Sequence, residues 1–119
     1  MEQHLARIEH HELEVTHWDL WDGSLPDFAV GARAKMTVFS GQTPQGAEAE
    51  AWAAARRVFE RFARAERLLF SVPMWNGSIP YVLKQFIDVV SQPGWVFGVD
   101  PATGYSHLLE GRGTRVAVV

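Results

Sequence analysis

Apolar and polar positions along the chain change their spacing several times, and each change marks an element. From Leu13 to Leu20 the order Leu-Glu-Val-Thr-His-Trp-Asp-Leu alternates up to Trp18, which predicts a half-buried strand. Before it, Leu5 and Ile8 stand three apart between Met1 and His10, without an N-cap or opening turn, and read as the tail of a longer helix. After it, Trp21-Asp22-Gly23-Ser24-Leu25-Pro26 is a turn-rich loop. The stretch Met36 to Gly46, with Ser40-Gly41-Gln42 and Thr43-Pro44-Gln45-Gly46, is punctuated rather than periodic and is expected to be a surface loop. A long helix follows, because Trp52, Ala55, Phe59 and Phe62 recur three or four residues apart while Arg57, Arg61 and Arg64 fall on another face. Glu60 is spaced to pair with Arg64.

The apolar run Leu68-Leu69-Phe70-Ser71-Val72-Pro73 lacks alternation, as expected of a strand covered on both sheet faces. In the next helix Ser78 is placed to cap, Pro80 suits the first turn, and Ile79, Val82, Leu83, Phe86, Ile87 and Val90 follow helical spacing. Such a stripe is core far more often than ligand surface. Pro93-Gly94 ends it, and Asp100-Pro101-Ala102-Thr103-Gly104 joins two short strands, Trp95 to Val99 and Tyr105 to Leu109. Glu110-Gly111-Arg112-Gly113 leads into a further buried strand, Thr114 to Val119. Strands alternating with helices predict an α/β layer structure around a mostly parallel sheet. No internal repeat, linker or low-complexity segment divides residues 1–119, so a single domain is expected.

The bulk numbers narrow the function classes. With 47% hydrophobic and 21% charged residues the 119-residue chain has the make-up of a packed domain. A net charge of -3 gives no overall attraction to nucleic acid or to an anionic membrane surface. There are no cysteines, which excludes thiol chemistry and disulfides and fits a reducing cytoplasm. The first ten residues hold no apolar stretch of signal-peptide length, and no segment approaches the roughly 20 apolar residues of a membrane span. A cytoplasmic protein is expected. His4, His10, His11 and His17 lack partners at a ligand spacing, so no metal site is predicted. Arg56, Arg57, Arg61, Arg64 and Arg67, with acids nearby, read as a solvated helix face. Ser71, Ser78, and Ser106 beside His107 stand in no Gly-x-Ser-x-Gly elbow, which argues against a hydrolase.

Candidate chemistry concentrates in one loop. Ligands of open parallel sheets bind beyond the carboxyl ends of the strands, and Pro73 to Ser78 is a strand-to-helix connection at that edge. Met74 and Trp75 offer polarizable and flat apolar surface, Asn76 an amide that donates and accepts, and Gly77 close approach of the backbone. The set suits a planar heteroaromatic ring with polar edges. The competing reading of Met74 and Trp75 is ordinary packing at a strand end.

The run Pro73-Met74-Trp75-Asn76-Gly77-Ser78-Ile79-Pro80, followed by Leu83-Lys84, Asp88, Gly94 and Phe97, resembles the pattern of flavodoxin-like, FMN-dependent NAD(P)H:quinone and azo-compound oxidoreductases. The similarity spans Leu13 to Val119 and is densest from Phe70 to Phe97. The resemblance implies a flavodoxin-like three-layer sandwich, FMN as cofactor, NAD(P)H as co-substrate and a quinone, azo or nitro compound as small-molecule acceptor. By it, Pro73, Met74, Trp75, Asn76 and Gly77 match the segment against the isoalloxazine ring, and Trp95 and Phe97 match residues on the substrate side. Trp95 and Phe97 read equally well as a hydrophobic patch in a dimer contact, and a homodimer that completes the active site is implied. No catalytic side chain is expected, because the flavin performs the difficult step. The family's first strand with its Ser-rich phosphate loop, and its last strand and helix, have no counterpart in these residues. A partial domain of a longer enzyme is therefore expected, the alternative being a non-catalytic remnant or interaction module that binds no FMN.

Overall fold

A computed structural model of the chain describes residues 14–109 and 117–118. The first helix, α1 (Ala29–Phe39), starts where the Asp27 carboxylate accepts the Ala29 backbone N–H at 2.9 Å. It stops where Gly41, at φ 77°, turns its N–H back to the Val38 carbonyl at 3.0 Å. The predicted loop is thus helical as far as Phe39, and only the part from Ser40 is loop. The periodicity is silent here because α1 buries Gly31 and Ala34, which leave no large apolar stripe.

The long helix appears as α2 (Ala47–Ala63), with Glu48 and Glu50 in its first turn against the positive end of its dipole. Ala55, Val58 and Phe59 are its buried face. Glu60 pairs with Arg56 at 3.2 Å rather than with Arg64. The Arg56 guanidinium lies 5.1 Å over the Phe59 ring and 5.2 Å over that of Trp95, and this brings it to the carboxylate.

Strand β1 (Ser71–Val72) is shorter than its apolar run; Leu68 to Phe70 precede it outside the ladder. Then come α3 (Tyr81–Val90), the strands β2 (Phe97–Asp100) and β3 (Gly104–His107), and β4 (Ala117–Val118). β4 returns parallel to β1, pairing Ser71 with Ala117 and Val72 with Val118, and a parallel return requires an intervening crossover, here α3 and the hairpin. Among the described strands this is the one parallel pair. The remainder of the predicted strand from Thr114, and the early helix tail, lie outside the described residues.

The strand expected over Leu13 to Leu20 is not found: residues 14–19 have no ladder partner, and Leu13 lies outside the described residues. A strand is defined by a paired neighbour, which alternation does not supply, and Val15 of the alternating run is exposed. Trp18 and Leu20 are half-buried, and the Trp18 ring meets that of Phe86 edge-on at 5.5 Å with Arg61 4.0 Å over it.

α3 buries Val82, Phe86, Val89 and Val90, so its apolar stripe is core, although Ile79 and Ile87 stay exposed. Ser78 does not cap it. Pro80 occupies the N-cap position without a side-chain hydrogen bond, while the backbone of Ser78 is committed to Trp75. At the other end the fully buried Gln92 donates its Nε2 to the carbonyls of Asp88 at 2.7 Å and Val89 at 3.0 Å, satisfying groups the helix end leaves open. The predicted hairpin is borne out: β2 and β3 pair antiparallel, and the Asp100 carboxylate accepts the Ala102 N–H at 2.7 Å in the turn. Ala55, Val58, Phe59, Phe86, Val89, Val90 and Trp95 form the core between α2, α3 and the chain after it. No helix among the described residues is long and apolar enough to cross a membrane.

Candidate functional site

The connection from β1 to α3 leaves the carboxyl end of a parallel strand, the edge at which ligands of such sheets bind. Within it the chain doubles back. Trp75 donates its N–H to the Ser78 carbonyl at 2.8 Å, and Ser78 returns a bond to the Trp75 carbonyl at 3.0 Å. The two residues between, Asn76 at φ 51° and Gly77 at φ 77°, are both left-handed, the backbone of a type I′ turn. Asn-Gly is the dipeptide that tolerates this conformation best, and it was the available sign of the turn. A Cβ at Gly77 would meet no protein atom within 4 Å, so conformation rather than crowding within the chain calls for glycine there.

The turn carries apolar surface outward. Met74 is 75% exposed and Trp75 46%, so neither is sealed by the residues around it. Ordinary packing at the strand end does not describe either. Trp75 has instead an aromatic neighbour from a distant loop: Trp21 stacks on it with centroids 5.5 Å apart and planes inclined by 29°. Trp21 also meets Tyr81, at the start of α3, edge-on at 5.1 Å. Trp21 and Tyr81 escaped the sequence reading, since nothing local joins residues so far apart in the chain.

Hydrogen bonds fix the loop that presents Trp21. The Asp19 carboxylate accepts the Trp21 N–H at 3.0 Å, the Asp22 carboxylate accepts the Ser24 N–H at 2.8 Å, and Gln85 of α3 donates Nε2 to the Pro26 carbonyl at 3.1 Å. The hydroxyl and then the backbone N–H of Ser24 hold the Asp22 carboxyl below its ordinary value of 3.8. A depressed carboxyl favours the folded loop above the unfolded value, and that contribution is lost as pH falls through the folded one. Titration of Asp22 followed by carbon NMR will give a midpoint below 3.8, and Ser24→Ala will move it upward toward that value. A midpoint indifferent to Ser24→Ala would remove the hydroxyl from the account.

The remaining candidates fall in two groups. Pro73, Met74, Trp75, Asn76 and Gly77 come together on the exposed loop. Trp95 does not join them; it is buried in the core, 5.4 Å from Phe59 and 4.7 Å from Trp52 between ring centroids. Phe97 is half-buried at the start of β2, its ring 5.9 Å from that of Tyr105. Ser106 and His107 are neighbours on β3 and project to opposite faces, which separates hydroxyl from imidazole. No group of His, Cys, Asp or Glu among the described residues is arranged to hold a metal, and His17 is exposed. The site offers a flat apolar wall, an amide and a left-handed backbone turn. It carries no basic side chain from Pro73 to Pro80.

The flavodoxin-like fold family matches residues 1–119 of the chain. An FMN-dependent NADH:quinone oxidoreductase of Ruegeria pomeroyi is 46% identical over 111 residues, covering 92% of this chain and 54% of that protein. One of the same name from Desulfotalea psychrophila is 43% identical over 99 residues, covering 82% of this chain and 47% of that one. The chain spans about half the length of the curated relatives it matches. Among solved structures, an azoreductase from Bacillus anthracis superposes with a TM-score of 0.78 at 29% identity, over 98% of this chain and 56% of the azoreductase. An FMN-dependent NADH-azoreductase of the same species, solved in complex with FMN, is alike in fold, with a TM-score of 0.73 at 22% identity over 98% of this chain and 57% of its own.

Proposed function

The chain belongs to the flavodoxin-like fold family, and from that premise we propose that residues 73–77 are the wall for the isoalloxazine ring of FMN in an NAD(P)H-dependent oxidoreductase. The observation that carries this reading is the exposed Trp75 on an Asn-Gly turn at the carboxyl end of β1. It is supported by the names of the relatives, which are FMN-dependent NADH:quinone oxidoreductases and azoreductases. Those names favour NADH over NADPH.

FMN, if bound there, would supply hydride and electron transfer between a nicotinamide and a quinone, azo or nitro acceptor. The residues of this chain supply orientation. Trp75 and Met74 give the ring a surface that excludes water from one side, and the Asn76 amide, with one acceptor and two donors, matches a polar edge. Gly77 keeps the turn left-handed, so backbone rather than side chain lies next to the ligand. Phe97, paired with Tyr105 on the hairpin, is the residue assigned to the acceptor side, while Trp95, sealed in the core, takes no direct part. Val99, Tyr105 and Leu108 are exposed apolar residues of that region, and a second copy of the chain covering them makes the proposed homodimer. The lack of cysteines suits a cytoplasmic setting.

The alternative reading is a remnant that binds no flavin. Titrating FMN and riboflavin into the purified 119-residue chain tests both. Quenching of tryptophan emission by the two flavins, with comparable affinities, is expected of a wall that touches the ring alone. If neither flavin quenches or is retained as a yellow protein, the oxidoreductase reading fails for this chain and the remnant stands.

A further inference from the structure

Trp75 is held by little of its own. Its backbone is fixed by the pair of bonds to Ser78, but nearly half of its surface is open, and the turn beneath it offers only Asn76 and Gly77. An indole on such a turn has several rotamers available, and a ligand that stacks on it would have to select one. Trp21 removes that freedom. Its ring is stacked on Trp75 and closed from the side by Tyr81, whose place is set by the first turn of α3. Trp21 is in turn fixed at its backbone by Asp19 and through its loop by the Gln85 bond to Pro26. Trp21 is 49% exposed and Tyr81 71%, so this arrangement contributes little to the core. Burying apolar surface does not account for three large rings gathered at the ligand edge of a strand.

We propose that Trp21 is a positioning residue of the site: it orients the Trp75 indole in advance so that the loop presents a preformed wall to a flat heteroaromatic ligand. The assignment rests on the flavin-wall reading of residues 73–77, but its structural half is independent of any ligand. Preorganisation makes two demands. Trp75 must have one orientation in the free protein, and releasing it must weaken binding by the value of an aromatic pair, about 2- to 12-fold.

Stacked indoles couple their electronic transitions and give a paired circular-dichroism band, which serves as the readout. The Trp52 and Trp95 rings, 4.7 Å apart at 44°, give a band of their own, so the measurement is a difference between variants of the full chain. Trp21→Ala, Trp75→Ala and the double variant are each expected to remove the same band, because one pair produces it. Trp21→Phe is expected to lose the band while keeping riboflavin affinity near that of the parent, since a benzene ring still holds Trp75 by stacking. Trp21→Ala is expected to weaken riboflavin binding about 2- to 12-fold. The proposal is overturned if the difference spectra of Trp21→Ala and Trp75→Ala are additive in the double variant, or if Trp21→Ala binds riboflavin like the parent. Should the parent take up no flavin, the flavin-wall reading falls, and the difference spectra alone then decide whether Trp21 orients Trp75.

Discussion

Phe86→Ala is expected to destabilise the fold by about 3–5 kcal/mol, the cost of emptying an aromatic site in a packed core. Phe86 is 4% exposed and lies where separate parts of the chain meet. Its ring takes the edge of Trp18 at 5.5 Å, that of Phe62 of α2 at 5.6 Å, and Phe70 before β1 at 6.1 Å. Phe86 thus joins the early loop, the long helix and the approach to the parallel ladder, and the cavity cannot be filled by moving one neighbour alone. Against a typical domain stability of about 5–15 kcal/mol the loss is a large fraction of the whole. The measure is the urea midpoint of the 119-residue chain beside that of Ile87→Ala. Ile87 is the next residue on the same helix and is exposed, so its truncation is expected to cost under about 1 kcal/mol. Equal losses at the two positions would mean that the buried face of α3 is assigned wrongly.

What the residues disclose before folding follows from the kind of signal each element emits. α3 is legible because its covered positions are large apolar residues at helical spacing, Val82, Phe86, Val89 and Val90. The hairpin is legible because Asp100 and Gly104 bound its turn. α1 is not, since it packs through what its residues lack: a Cβ on the buried Gly31 would come within 2.5 Å of the Phe28 ring. A contact made by the absence of a side chain leaves no mark on a hydrophobic pattern. The alternation from Leu13 to Trp18 is a false sign for a related reason, because it predicts half-burial and says nothing of a paired neighbour. The site divides in the same way. Asn76-Gly77 announces its turn, and the turn brings Trp75 outward. The partnership of Trp75 with Trp21 and Tyr81 is a long-range contact that no local window contains. Trp95 and Trp75 are alike as letters, yet one is sealed against Phe59 and Trp52 and the other stands open. Residue type names the surface a side chain can offer, and only the fold decides whether it is offered to a ligand or to the core.

Gly77→Val is expected to reduce flavin affinity by about fivefold or more while leaving the folded core in place. At φ 77° a β-branched residue is strained by about 1–3 kcal/mol, and the chain relieves that strain by leaving the turn. The two bonds between Trp75 and Ser78 are then lost, and Trp75 with them as a placed ring. A Cβ at this position would touch no protein atom within 4 Å, so the substitution acts on the backbone or on the ligand but not on packing. Those two routes are separable. Asn tolerates the left-handed region far better than Ala, and Ala better than Val, while all three put a side chain where glycine leaves space. If conformation is the cause, riboflavin affinity falls in the order Gly77→Asn, Gly77→Ala, Gly77→Val, with the smallest loss in the first. If close approach of the ring is the cause, Gly77→Asn loses as much as Gly77→Val despite an intact turn, and Gly77→Ala, with the smallest side chain, loses least. Parent-like binding in Gly77→Val would leave residues 73–77 without a part in holding a flavin.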